Sequence, residues 1–330
     1  MGCSESIQRE VFVTRSHRKQ TILNWDLESA RLHKIVNAIG TDENAVIQIL
    51  ATFKCSERQR IILAYKKTYG KDLISVLESE LSLGYQEAAT ALLYRPEVYD
   101  AKSLHQAIED HENDTLIEII CSRKTLAIEM IREAYQEEFT CSLENDLLSI
   151  QDQDLRELLI KFCTINTEGV RSKADRTAAQ ERAIRLHSYG DLVELLCEPL
   201  GRNQLKATFE ELETLYMKPI DVYIDNQYKG KSLDFRRALK AYVACTISPP
   251  AFFCKELNKA LEKNSRSKKV LRIVITRSET DLYYIIREYL SCYSIQLTKA
   301  IQKKCLPHYT HPLKIILAIR GQYQESAVRM

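Results

Sequence analysis

Apolar residues recur along this chain with the spacing of short amphipathic helices. Near the start, Leu32, Ile35 and Val36 share one helical face, and Val46 and Ile49 begin the next. Polar or glycine-containing breaks follow at Gly40-Thr41, Cys55-Ser56, Tyr69-Gly70 and Ser82-Leu83-Gly84. The pattern therefore predicts an all-α fold, with five short helices in about the first hundred residues.

The same five-helix pattern returns three more times. Four similar segments begin at Ile49, Ile119, Leu195 and Ile273, and they carry matching aromatic residues at Tyr69, Phe139, Tyr216 and Tyr293, which lie 70, 77 and 77 residues apart. A period of this length spans several helices and indicates a repeat architecture. We predict a tail over residues 1–24 and repeats over 25–98, 99–166, 178–248 and 249–330. The charged, aperiodic segment 167–177 is the predicted linker between two halves of two repeats each.

The composition of the chain indicates which cellular compartment it occupies and which kind of partner it binds. The net charge of the 330 residues is +2, but from Glu256 to Met330 there are 14 Lys and Arg against 6 Asp and Glu, a local charge of +8. A basic end favours an anionic partner. Ten cysteines without a CxxC pair, and no apolar stretch typical of a signal or a membrane span, predict a cytoplasmic monomer with reduced thiols.

Two runs carry a resemblance to a known family. AIGTDENAVIQILATFKCSERQRIILAYKKTYGKDLISVLESELS, followed by YDAKSLHQAI, resembles the first repeat of an annexin, and RIVITRSETDLYYIIREY resembles part of the fourth. The similarity covers roughly residues 25–325. It implies four annexin-type repeats that form a curved disc, with convex loops that bind calcium and face a membrane.

The resemblance also implies a calcium site in repeat one. The family pattern maps backbone carbonyl ligands to Val36, Ala38 and Gly40, and a bidentate carboxylate to Glu80. Calcium prefers such oxygen ligands. Thr41 and Glu43 could form a weaker second site. Because Ala38 stands where the family has Gly, we expect a weak site; alternatively, Glu80 is only a solvated carboxylate at a helix junction.

The other repeats depart from the calcium pattern. Repeat two has a turn without Gly that is two residues short, and its acidic position falls near Ile150. Repeats three and four carry basic residues in the corresponding loops, so we predict no family-type calcium site in repeats two to four. These residues predict a calcium-independent patch for anionic lipid, or else merely a solubilising surface. They are Lys229, Lys231, Lys263, Arg266, Lys268, Lys269, Lys303 and Lys304.

The N-terminus matches a lipidation pattern. Met1-Gly2-Cys3-Ser4-Glu5-Ser6 fits the N-myristoylation motif at Gly2, and Cys3 is a candidate for palmitoylation. One acyl chain binds membranes only marginally, so a second chain or a basic patch is needed for stable anchoring.

These features predict a peripheral membrane protein on the inner face of the plasma or vesicle membranes. It would bind anionic phospholipid, depend only weakly on calcium, and serve membrane trafficking or membrane–cytoskeleton linkage, with a possible protein partner for the tail. The alternative is a calcium-independent scaffold for protein interactions. No motif for catalysis or nucleotide binding is found, and we expect neither an enzyme nor a nucleic-acid partner. Arg123 and Arg277, at equivalent positions near second-helix ends, are expected to anchor helices.

Overall fold

A computed structural model describes residues 24–38, 40–165, 173–262 and 267–328, with side chains as far as residue 321. Regular structure in these ranges is helical throughout. Repeat one contains α1 (Trp25–Val36), α2 (Glu43–Thr52), α3 (Cys55–Tyr69), α4 (Leu73–Glu80) and α5 (Leu83–Leu93). Repeat two contains α6 (Pro96–Glu109), α7 (Asn113–Ser122), α8 (Thr125–Phe139), α9 (Leu143–Leu147) and α10 (Gln153–Cys163).

The second half of the chain has the same order of helices. Repeat three contains α11 (Arg176–Ser188), α12 (Leu192–Cys197), α13 (Arg202–Tyr216), α14 (Ile220–Gln227) and α15 (Leu233–Ile247). Repeat four contains α16 (Pro249–Glu262), α17 (Ser267–Arg277), α18 (Leu282–Tyr293), α19 (Leu297–Lys304) and α20 (Pro307–Val328). The predicted all-α fold of four repeats with five helices each is confirmed.

The recurring aromatic residues pack the third helix of a repeat against the first. His33 of α1 stacks on Tyr69 of α3 with ring centroids 3.7 Å apart. In repeat two, His105 stacks on Phe139 in the same way, at 3.8 Å. The Nδ1 atom of each histidine also lies 3.0 Å from a tyrosine hydroxyl on the third helix. The matching positions in the sequence are therefore contacts of the scaffold.

Two arginines anchor the ends of second helices, as predicted. Arg123 binds both carboxylate oxygens of Asp100 at 2.7 and 2.8 Å, in a pair that is almost fully buried. Arg277 binds Asp281 in the same bidentate manner. In repeat one the equivalent residue is Phe53, whose carbonyl instead accepts a hydrogen bond from Arg58.

The helices divide into two compact units that differ from the predicted halves. One unit contains the described residues through Pro96 together with those from Phe253 onward, and the other is Glu97–Phe252. Repeat one is thus grouped with repeat four, and repeat two with repeat three. The sequence suggested halves in chain order because the charged linker is the most conspicuous break in the helical pattern. A linker shows only where two segments are joined along the chain. The compact units depend instead on which apolar helix faces pack together.

Within the first unit, the fifth helix of repeat one closely approaches repeat four. A Cβ atom on Gly84 of α5 would lie 2.1 Å from the carbonyl oxygen of His308 in α20. Only glycine allows two backbones to come this close. The contact brings the loop between α4 and α5 next to the loop between α19 and α20.

Each third helix ends in a residue with left-handed backbone conformation. This residue is Gly70 in repeat one, with φ of +66°. Thr140, Met217 and Ser294 occupy the equivalent positions, with φ between +53° and +58°. This conformation is energetically unfavourable for a residue with a Cβ atom, whereas glycine adopts it readily.

We therefore expect Met217→Gly to raise the free energy of unfolding by about 1 kcal/mol, because the strain is relieved. Met217 is 87% exposed, so removal of its side chain loses little packing. Urea denaturation followed by circular dichroism measures the change. The reverse substitution, Gly70→Ala, should destabilise the chain by a similar amount, and an unchanged or lower midpoint for Met217→Gly would contradict the explanation.

Candidate metal and lipid-binding loops

Counting from the first residue of each fourth helix identifies the residue that is equivalent to Glu80 in each repeat. These helices begin at the buried residues Leu73, Leu143, Ile220 and Leu297. Seven residues further on stand Glu80, Ile150, Gln227 and Lys304. The four repeats therefore place an acid, an apolar residue, an amide and an amine at one structural position, which we call the ligand position.

In repeat one, six residues separate α1 from α2, and the structure describes all of them except residue 39. The Thr41 hydroxyl donates to the carbonyl of Val36 at 3.1 Å, and Asp42 caps α2 by accepting from the amide of Ala45 at 3.0 Å. Gly40 has φ of +75°, with no atom near a would-be Cβ. The carbonyls of Ala38 and Gly40 accept no hydrogen bond from a residue that the structure describes.

The α4–α5 loop and the start of α5 contact the first residues of α2, directly after this loop. A carboxylate oxygen of Glu43 accepts the amide of Ser82 at 2.5 Å, and the Tyr85 hydroxyl donates to Asn44 at 2.7 Å. Glu80 is exposed, and within the described ranges its carboxylate makes no hydrogen bond or ion pair. An exposed carboxylate and carbonyls that accept no hydrogen bond are oxygen ligands of the kind that a hard cation such as calcium prefers. Glu43, by contrast, already uses one oxygen to hold the α4–α5 loop against the start of α2.

Ala38 does not carry the strain that the sequence suggested. The positive φ angle among the described residues of this loop belongs to Gly40, and Ala38 is outside that conformation. The substitution of Gly by Ala therefore costs no backbone strain here. Any weakening of the site must come from the Ala38 methyl group itself.

In repeat three, side chains occupy the carbonyls that a cation would need. Gln227, at the ligand position, donates its amide to the carbonyl of Gly190 at 2.7 Å. The Tyr223 hydroxyl donates to the carbonyl of Leu186 at 2.9 Å, and burial raises the pKa of Tyr223 to about 12. Gln227 also shows that a side chain at the ligand position reaches the first loop of its own repeat.

Repeats two and four lack an acid at the ligand position for different reasons. Ile150 is buried, and the turn between α6 and α7 has three residues where repeat one has six. His111 supplies the positive φ angle of this turn. In repeat four the ligand position is the exposed Lys304, whose ammonium would repel a dication.

The predicted basic residues fall in both units, and each unit is considered separately. In the unit of repeats one and four, Lys303 and Lys304 are exposed at the end of α19. The side chain of Lys268 is 78% exposed and lies 3.7 Å from Glu87. In the unit of repeats two and three, Lys229 is exposed, whereas Lys231 binds Asp154 at 2.7 Å, and this hydrogen bond lowers the pKa of that carboxyl.

Lys269 requires a correction, because it is not part of an exposed basic surface. Its residue is 8% exposed, and its ammonium lies 2.6 Å from Glu256. The sequence places it beside Lys268, but consecutive residues of a helix point in different directions, and Lys269 faces inward. Lys263, Arg266, Gly2 and Cys3 lie outside the described residues.

The structure also shows exposed leucines that the sequence analysis did not single out. One lies in or next to the loop between the fourth and fifth helices of every repeat. They are Leu83, Leu148, Leu233 and Leu306, with exposures of 58, 58, 65 and 45%. Their offsets from the ligand position differ, so no fixed spacing marks them. The sequence offered one indication of these residues, which is that a leucine follows each fourth helix within a few positions.

Clusters of metal-binding side chains and long apolar helices are the usual marks of a metal site and of a membrane span. Across the described ranges, no three His, Cys, Asp or Glu side chains cluster so that they could hold a metal ion. None of the described helices is both long and apolar enough to cross a bilayer.

Comparison with known proteins agrees with this architecture. The sequence profile of the Annexin family matches residues 28–92, 99–162 and 252–314, which together exceed half of the chain. The chain belongs to the annexin family. Dog annexin A13 is 33% identical over 290 residues, covering 84% of this chain and 90% of that protein. Annexins are calcium-dependent phospholipid-binding proteins, and this chain's annexin relatives are non-enzymatic.

Solved annexin structures share the fold. The structure of annexin III superimposes with a TM-score of 0.81 at 30% identity, over 92% of this chain and 96% of that one. A calcium-bound structure of annexin (Sm)1 gives the same TM-score at 24% identity, over 90% of this chain and 91% of that one. Because the identity to annexin (Sm)1 is below 25%, that comparison shows only that the two chains share a fold.

Proposed function

We propose that this annexin is a peripheral membrane protein that binds anionic phospholipid with a weak calcium requirement, met by repeat one alone. The observation that carries the proposal is the contrast at the ligand position. Glu80 is an exposed, unpaired carboxylate among the described residues, whereas the equivalent positions hold Ile150, Gln227 and Lys304. One calcium ion at repeat one would bridge the protein to lipid phosphate, with Glu80 and the carbonyls of Ala38 and Gly40 as protein ligands. The carbonyl of Val36 would join them through its second lone pair, because its first accepts from the Thr41 hydroxyl.

The unit of repeats one and four supports direct contact with lipid. The contact between Gly84 and His308 brings the loop that follows Glu80 next to the loop that follows Lys304. Leu83 and Leu306 are exposed on these neighbouring loops. Apolar side chains flanked by lysines suit the boundary between acyl chains and anionic headgroups.

Acylation of Gly2 and Cys3 completes the proposed mechanism. A myristoyl chain alone gives reversible binding, and a basic or calcium-bridged surface supplies the second signal that stable anchoring needs. With this combination, a chain with a calcium site in one of its four repeats would remain at the cytoplasmic face of a membrane. The tail could also recruit a protein partner for trafficking or for linkage to the cytoskeleton.

The deciding experiment is co-sedimentation of the non-acylated chain with phosphatidylserine vesicles, in calcium or chelator and at low or high salt. We expect weak binding in chelator that falls with salt, and stronger binding in calcium. Repeating the assay with the myristoylated chain measures the contribution of Gly2. If neither form binds lipid in any condition, the calcium-independent protein scaffold is favoured. The loops of repeats two and three, which hold no acid at the ligand position, support that alternative.

The calcium-independent binding should depend on Lys303 and Lys304. Each lysine near an anionic bilayer contributes about 1 kcal/mol, so the double replacement by Gln should weaken binding in chelator by roughly tenfold to thirtyfold. Lys66 and Lys67 provide a matched control, because they are also exposed and occupy the last turn of α3. An equal loss in the control pair would mean that only overall charge matters.

A further inference from the structure

The fourth and fifth helices of repeat four differ in charge from those of the other repeats. From Leu297 to Arg320 the sequence contains four Lys, one Arg and two His, but no Asp or Glu. The equivalent segments 73–93, 143–163 and 220–247 each contain at least three acidic residues. Two residues separate α19 from α20, and the two helices pack against each other. The exposed Lys303 and Lys304 at the end of α19 therefore lie next to the first turn of α20.

Two histidines form the solvent side of this first turn. His308 and His311 are both exposed, and residues three apart lie on the same face of a helix. Tyr309 and Thr310, between them, are buried, and the Tyr309 hydroxyl donates to Glu87 of α5. Within the described ranges, neither histidine side chain makes a hydrogen bond or an ion pair.

The charged groups that surround the two histidines are mostly basic. Lys303 and Lys304 precede them, and Lys314 follows His311 by three residues on the same helix. The exposed Lys268 belongs to α17, which also packs against α20. The neighbouring α18 contacts α20 at its other end, near Gly321. A proton on either histidine would therefore add to a surface that is already positive.

The acids of the neighbouring helices are engaged or belong to the proposed calcium site. The carboxylate of Glu87 accepts from Tyr309 and lies 3.7 Å from Lys268. Glu43, at the start of α2, already accepts a backbone amide of the α4–α5 loop. Glu80, at the end of α4, is exposed and is the acid at the ligand position. None of them pairs with His308 or His311 in the described part of the chain.

We propose that the surface of Lys303, Lys304, His308 and His311 is a proton-dependent binding surface for strongly anionic membranes, with both histidines protonated in the bound state. Histidine is the side chain that changes its charge between pH 5 and 8. Because its protonated form attracts anionic headgroups, the calcium-independent affinity rises as the pH falls. For the same reason, binding at constant pH takes up protons. This inference rests on the proposed function, since it concerns the same lipid-binding loops.

The negative potential of an anionic membrane strengthens this linkage. A surface potential of about −30 to −50 mV concentrates protons roughly threefold to sevenfold next to the lipid. Lysine and arginine gain nothing from these protons, because they are already charged at neutral pH. A surface that includes histidines gains charge as the membrane becomes more anionic. It therefore distinguishes strongly from weakly anionic membranes more sharply than lysines alone.

The test is co-sedimentation of the non-acylated full-length chain, in chelator, with vesicles of phosphatidylglycerol and phosphatidylcholine at about pH 7.5 and about pH 5.5. The phosphodiester of phosphatidylglycerol stays ionised at both values, so the lipid charge is constant. We expect the dissociation constant to fall roughly fivefold to thirtyfold at the lower pH, about fivefold for each added charge. In a weakly buffered solution, mixing the protein with vesicles should raise the pH of the medium.

The double variant His308→Gln/His311→Gln should bind nearly as the unmodified sequence does at the higher pH, and should lose most of the gain and of the proton uptake. Each single variant should lose part of both. His111→Gln is the matched control, because His111 is also exposed but lies in the acidic turn of repeat two, and it should keep the full gain. Equal midpoints of thermal unfolding would show that the variants fold alike.

Two results would overturn the inference and leave the proposed function standing. One is a double variant that keeps the full gain, which would assign the pH response to carboxylates elsewhere. The other is an unmodified sequence that binds at the higher pH but shows neither a gain nor proton uptake at the lower one. If the unmodified sequence binds these vesicles at neither pH, both the inference and the calcium-independent part of the proposed function are wrong.

Discussion

Replacing Glu80 by Gln should remove the calcium-stimulated part of vesicle binding and leave the binding in chelator unchanged. The substitution keeps the size of the side chain but removes the only carboxylate at a ligand position among the four repeats. A unit charge about 2.4 Å from a divalent cation contributes about 3 kcal/mol even at the dielectric constant of water. The calcium concentration for half-maximal binding should therefore rise roughly a hundredfold.

Glu78 provides the control for this variant. It is exposed on the same helix, two residues before Glu80, and carries the same charge. Glu78→Gln should leave the calcium response unchanged, because only Glu80 occupies the position whose counterpart, Gln227, reaches the first loop of its repeat. If both variants lose the response equally, calcium is attracted by the general charge of α4, and the proposed site in repeat one is wrong.

Periodicity alone was enough to predict the fold. The apolar spacing and the fourfold recurrence of aromatic residues required four groups of helices, and the stacking of His33 on Tyr69 and of His105 on Phe139 shows why those residues recur. The spatial grouping of repeats could not be obtained in this way. It depends on close backbone contacts such as that between Gly84 and His308, which are distant in sequence.

The candidate site was predictable only in part, for a similar reason. The resemblance to annexins pointed to Glu80 and to a position near Ile150. Loops of different length left the equivalent residues of repeats three and four open, and counting from the helix starts gives them as Gln227 and Lys304. Local sequence also does not show which way a charged side chain faces. Lys268 and Lys269 are adjacent, yet one is exposed to solvent and the other is buried against Glu256.

A second large effect is expected where a charge is held inside the fold. Arg123→Met should lower the free energy of unfolding by about 3–5 kcal/mol, because it leaves the carboxylate of Asp100 buried without its partner. The exposed side-chain fractions of Arg123 and Asp100 are only 6 and 5%, so water cannot replace the two hydrogen bonds. Urea denaturation, followed by circular dichroism, measures the loss.

The double variant Arg123→Met/Asp100→Leu tests the reason for that loss. Since a buried ion pair contributes little more than apolar side chains of similar volume, removing both charges should recover most of the stability lost in the single variant. Lys206→Met breaks the exposed pair with Glu210, at 4.0 Å, and should change the free energy of unfolding by at most about 1 kcal/mol. A double variant as unstable as Arg123→Met would show that the arginine acts through its own packing at the end of α7, and that the unpaired charge of Asp100 is not the cause.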